Sequence, residues 1–246
     1  MAKIVLVHGA FNELWGPNEL QARWLPAVRD GLWHHGVEIA DADVAVCFYG
    51  DLFRRRPGTD DDEVVERSRA GIADAMTEMA GADAISALSQ AASDAAFDRT
   101  VDMVTIMATN PNLRSEMRAR IEPLVVDETR VIVAHSLGTV LSYMALCNHP
   151  QWQIDTFVTL GSPLASPMIF EHLEPAPVDG RGRWPDPIRR WVNVRALGDK
   201  AAAVPLGEHF DARIADVLID NGHRAHAPEP YLNAAETGAA IAAALT

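Results

Sequence analysis

Cysteine is scarce in this chain, with Cys47 and Cys147 the only two among 246 residues. They lie far apart, each inside an apolar segment. They therefore read as small hydrophobes rather than as a disulfide or a metal pair. No Cys-x-x-Cys and no His-Glu-x-x-His spacing occurs, so the usual sequence signals of zinc are missing and no metal or cofactor is expected. Long apolar runs are missing as well. None reaches the ~20 residues that span a bilayer, and no membrane span is expected. Positive charge is in short supply: 21 Lys and Arg stand against 34 Asp and Glu, a formal net charge of −13. Such a balance argues against nucleic acid as a partner, since polyanions attract basic surfaces. The clusters Arg54-Arg55-Arg56 and Arg181, Arg183, Arg189 and Arg190 read as solvated loop charge. The first apolar run begins beside Lys3, which leaves no room for a secretory leader, and a reduced, cytoplasmic location is expected.

What is present is an ordinary globular composition, 48% apolar and 22% charged. The length suits one large domain, 1–246. Short apolar runs at 4–7, 44–49, 130–134, 156–160, 191–195 and 215–219 read as strands, the first of them typical of a strand buried on both faces. Helical patterns lie between them. After Gly16-Pro17-Asn18, residues Leu20, Trp24, Leu25, Val28 and Leu32 fall on one helical face. Further helices are expected at 113–124, from Ser136 to about 148, and over 231–245. Residues 164–190 are rich in Pro, Gly and Arg and read as loop. Residues 51–111 are too long for a simple connection and read as an inserted helical cap, with Met76, Met79, Met103 and Met107 in its core. The expected fold is α/β: a mostly parallel, about six-stranded sheet with helices on both faces. Ligands in such sheets bind beyond the C-terminal ends of the strands.

The most informative segment is Val131-Ile132-Val133-Ala134-His135-Ser136-Leu137-Gly138-Thr139-Val140. A β-branched run meets a helical pattern with a serine at the junction. Small residues at 134 and 138 let strand and helix backbones close up around a sharp turn. Ser136 could serve as a plain helix N-cap. Its context favours a nucleophile, because Asp199 follows the fifth strand and His226 follows the sixth. Asp220 is a rival carboxylate, and His223 competes with His226 in the same loop.

The chain order Ser, Asp, His resembles that of the α/β-hydrolase superfamily. The motifs that carry the resemblance are Leu6-Val7-His8-Gly9, Ala134-His135-Ser136-Leu137-Gly138, Gly161-Ser162-Pro163, Gly198-Asp199 and His226 before Tyr231-Leu232. They span nearly the whole chain and are specific for the superfamily, not for a substrate. Two departures stand out: Ala134 replaces the usual first glycine, and the two antiparallel strands that open the family's sheet have no counterpart. The resemblance implies a serine hydrolase that cleaves a carboxylic ester of a small-molecule acyl substrate through an acyl-enzyme. Ser136, Asp199 and His226 would be catalytic, and backbone N–H groups of Leu137 and of Ala10 or Phe11 would form the oxyanion hole. Asn12 could orient that loop, and Met103 and Met107 could line an adaptable acyl pocket. A thioesterase, lactonase, amidase or acyltransferase would use the same residues. A non-catalytic binding protein on a hydrolase-like scaffold is the remaining alternative.

Overall fold

The two-sided hydrophobicity of short strands sets the architecture. In β1 (Ile4–Val7), Ile4 and Leu6 point to one side of the sheet and Val5 and Val7 to the other, all fully buried. β3 (Val131–His135) does the same, with Val131 and Val133 opposite Ile132 and Ala134. A strand apolar on both sides needs cover on both sides. The computed structural model describes residues 2–54 and 110–246, and it supplies that cover with two cores. One lies between the sheet and α1 (Pro17–Trp33) and α6 (Ala235–Leu245); the other lies under α2 (Pro111–Ile121) and α3 (Leu137–Asn148).

The sheet has six strands, all parallel, in the order β2-β1-β3-β4-β5-β6. The others are β2 (Val44–Cys47), β4 (Ile154–Leu160), β5 (Ile188–Ala196) and β6 (Ala215–Ile219). From β1 the chain moves outward to β2, then crosses back to β3 and proceeds to the other edge. The loop after β1 therefore leads to a helix on one face, and the loop after β3 leads to a helix on the opposite face. This switch point opens a crevice between the C-terminal ends of β1 and β3.

The crossing there is tight. A Cβ placed on Gly138 would lie 2.3 Å from the His8 carbonyl oxygen and 2.6 Å from that of Val7. Only glycine lets α3 start so close to β1. In α1, the residues expected on the inner face are buried, and Ala27 and Gly31 join them. Asn110 caps α2 by accepting the Leu113 N–H at 3.0 Å.

Several boundaries differ from the sequence reading, each for a local reason. β2 stops at Cys47 because Tyr49 turns away to bond His8 through both its N–H and its hydroxyl. β5 begins at Ile188, ahead of the apolar run, with Arg189 and Arg190 pointing outward toward Asp155. Residues 164–190 contain a short helix, α4 (Pro167–Phe170). The second expected helix ends at Ile121 and continues as a 3-10 turn over Glu122–Leu124. The closing helix is two helices, α5 (Pro228–Leu232) and α6, separated at Ala234, whose backbone is extended. Of the cap expected over 51–111, only its two ends are described. Residues 51–53 belong to a 3-10 turn and residue 111 opens α2. Met76, Met79, Met103 and Met107 lie outside the described residues.

Candidate functional site

Ser136 stands at the junction of β3 and α3 with φ 51° and ψ −126°. Positive φ is uncommon for any residue with a side chain, and strain of this kind gathers at functional sites. The surroundings enforce it. The Ser136 N–H donates to the Leu160 carbonyl at 2.9 Å, and its carbonyl accepts the Thr139 N–H at 2.9 Å and the Thr139 hydroxyl at 2.6 Å. The Thr139 hydroxyl is also 2.8 Å from that of Ser162, at the end of β4. Ser136 is thus tied to the strand beside it and to the first turn of its own helix.

The histidine loop after β6 reaches across to it. His226 Nε2 lies 2.9 Å from Ser136 Oγ. His226 Nδ1 lies 2.9 Å from each carboxylate oxygen of Asp199. A carboxylate can only accept, so Nδ1 carries the proton and Nε2 presents its lone pair to the serine hydroxyl. Asp199 is buried at the end of β5, its side chain only 1% exposed, whereas that of His226 is 42% exposed. His223 sits in the 3-10 turn Gly222–Arg224, exposed, with no bond to Ser136 or Asp199 among the described residues. Asp220 accepts the Gly222 N–H in the same exposed loop. The structure therefore groups Ser136, Asp199 and His226, and places both rivals outside the group.

Two further residues of the sequence motifs support this group. The Tyr231 hydroxyl donates to Asp199 Oδ2 at 2.5 Å, and the Ala201 N–H donates to Asp199 Oδ1 at 3.0 Å. Burial alone would push the Asp199 carboxyl up. The hydrogen bond and charge of His226, with the Tyr231 hydroxyl and the Ala201 N–H, outweigh it and hold the group below the ordinary carboxylate range. The second supporter is His135, buried beneath the site. Its Nε2 is 3.0 Å from the His226 carbonyl, to which it donates. Burial, reinforced by the nearby His226, lowers its pKa to about 3. A neutral His135 thus pins the backbone of the loop that carries His226.

The loop after β1 forms the facing wall. A Cβ on Gly9 would lie 2.7 Å from Ser136 Cβ, so this backbone runs directly beside the serine. Asn12 Nδ2 donates to the Gly9 and Ala10 carbonyls at 3.1 and 2.9 Å, folding the loop on itself. Phe11 has φ 65° and is 44% exposed. His8 anchors the loop base. Its Nε2 accepts the Tyr49 N–H at 3.1 Å, and burial lowers its pKa to about 4. The N–H of Leu137 is one of the four at the start of α3 without a partner inside the helix.

Between these walls lies a cleft of about 540 Å³, lined in part by Phe11, Trp15, Leu20, Trp24, Ser136 and His226. Ala10, Asn12 and Leu137 also face it. The aromatic wall has no counterpart in the sequence reading, where Trp24 is only one of the apolar residues on a helical face. Other nucleophile candidates are disfavoured. Burial pushes the Cys47 thiol up to about 12 and that of Cys147 up to about 11. Among the described residues, no group of three or more His, Cys, Asp or Glu side chains could hold a metal ion. Nor is any helix there long and apolar enough to cross a membrane. No protein-family model matches the chain, and no curated protein matches it.

Proposed function

We propose that the chain is a serine hydrolase of the α/β-hydrolase type, acting on a carboxylic ester by way of an acyl-enzyme. The observation that carries this reading is the continuous row from Ser136 Oγ through the His226 ring to the Asp199 carboxylate, with 2.9 Å at each step. In the first half-reaction Oγ attacks the ester carbonyl carbon while its proton passes to Nε2. Asp199 holds the ring in the tautomer that permits this and stabilises the imidazolium that forms. The negative charge develops on the former carbonyl oxygen. In this reading the Leu137 N–H and an N–H of the Ala10–Phe11 loop receive it. Collapse breaks the bond to the leaving alkoxide, which takes the proton from Nε2. Water then repeats the cycle on the acyl-serine and regenerates the hydroxyl.

The same row would attack thioesters, lactones and amides, but esters are the least demanding test. With p-nitrophenyl butyrate, rapid mixing should show a burst of p-nitrophenol followed by slower steady turnover. The burst should scale with protein concentration and approach one equivalent, because the acyl-enzyme accumulates when deacylation is the slower step. Release of p-nitrophenol no faster than in buffer would refute the reading.

A further inference from the structure

The described lining of the cleft beside Ser136 contrasts in charge with the chain as a whole. The chain carries a formal charge of −13, yet three of the residues lining the cleft are cations: Arg23, Lys200 and Arg224. Glu229 is the one carboxylate among the described lining residues. It is shared. Its Oε1 accepts from Arg23 Nη2 at 2.7 Å, and its Oε2 accepts from Arg224 Nη2 at 2.8 Å. One carboxylate thus holds two guanidinium groups side by side and offsets the charge of only one.

Neither guanidinium is exhausted by this. Each has five N–H donors in a fixed plane, and Glu229 engages a single Nη2 of each. Arg23 is fixed further by stacking on Trp15, 4.1 Å from the ring centroid. Arg224 comes from the same loop as His226, and Lys200 directly follows Asp199. Among the described residues, no ion pair engages Lys200. With Glu229 offsetting one of the three cations, the described lining of the cleft keeps a surplus of positive charge that an incoming anion can meet. The positive site on an acidic protein also focuses anions toward the serine.

Resting on the hydrolase reading above, we infer that the substrate is an amphiphilic ester carrying an anionic group, a carboxylate or a phosphate. Its apolar body lies along Trp15 and Trp24, and its anion is held by Arg23, Arg224 and Lys200. Planar guanidinium forks suit the paired oxygens of either anion. No step of the chemistry uses this charge. It sets which ester is bound and how quickly it arrives.

The test compares the half ester 4-nitrophenyl hydrogen adipate with its neutral counterpart 4-nitrophenyl hexanoate. A second pair, 4-carboxyphenyl hexanoate and phenyl hexanoate, places the anion on the leaving group. In at least one pair, kcat/KM for the anionic member should exceed that of the neutral one by roughly tenfold. That ratio should fall toward one in an Arg224→Gln, Lys200→Gln double variant, and also in about 0.5 M NaCl, where exposed charges are screened. Binding is read separately by calorimetry with monomethyl and dimethyl adipate on the Ser136→Ala variant, which needs no turnover. Tighter binding of the monoanion there, lost in the double variant, supports the anion site even if the wild type hydrolyses no ester. Equal kcat/KM within both pairs, or equal affinity for the two adipates, overturns it even if hydrolysis is brisk.

Discussion

Replacing Ser136 by Ala should lower p-nitrophenyl butyrate turnover by roughly 10⁴-fold or more, with little change in the affinity for a non-reactive ester. The size of the effect follows from the site's construction. Without Oγ, the His226 lone pair has no hydroxyl to deprotonate, and only the oxyanion donors and the binding cleft remain. Replacing His226 by Ala should cost nearly as much, and the double variant should lose little beyond either single change, since the two act as one unit. Steady-state rates on the three variants, with folding checked by circular dichroism, decide the matter. Additive losses would mean that Ser136 and His226 act independently, contrary to the 2.9 Å contact between them.

The second large effect concerns acid. His8 and His135 are buried, and each is held neutral, with pKa values lowered from 6.5 to about 4 and about 3. The unfolded chain binds protons at these positions first as pH falls below 6.5, while the folded chain resists. Stability must therefore drop on acidification, starting near pH 6.5 and continuing toward the folded-state values. At pH 5 each histidine should contribute a loss of about 2 kcal/mol. Asp199 acts in the same direction but at lower pH. Its folded pKa is depressed, so its contribution is present above the unfolded carboxylate value and is lost as pH falls through the folded one. The window from pH 6.5 to 5 therefore isolates the two histidines from it. Urea unfolding midpoints at pH 7, 6 and 5 should decline steadily. A flat profile over that window would show that the two rings are protonated without cost. The physical reason for a cost is specific: His8 Nε2 already accepts the Tyr49 N–H, and a proton there would end that bond.

Much of this was legible because it is local. Ile4–Val7 and Val131–His135 are apolar on both faces, which only a doubly covered sheet can use. The turn at Ser136 is written in adjacent residues, a strand, small flanks and a helix. Asp199 and His226 were found by a positional rule, since each follows the C-terminal end of a strand; the sixth strand is an edge, largely exposed or half-buried except at Ile219. The sequence favours His226 over His223 by its distance to Tyr231-Leu232, and the structure puts His226, not His223, 2.9 Å from Ser136 Oγ. Contacts between distant loops carry no local signal. Nothing in the sequence says that Tyr231 reaches Asp199, that His135 holds the His226 carbonyl, or that Arg23 meets Glu229 206 residues away. Local propensity also misled once. Ala234 favours helix by type, but its extended backbone separates Tyr231, bonded to Asp199, from α6, packed on α1. There the pull of tertiary packing exceeds the modest preference of one alanine.

The most direct measurement is covalent. A fluorophosphonate reacts with a serine only when a neighbouring base activates it. After incubation with the folded protein, intact mass and peptide fragmentation should show one adduct, on Ser136, absent from the Ser136→Ala protein and strongly slowed in His226→Ala. An unmodified Ser136 after prolonged incubation, or an adduct on another residue that persists in Ser136→Ala, would contradict the account.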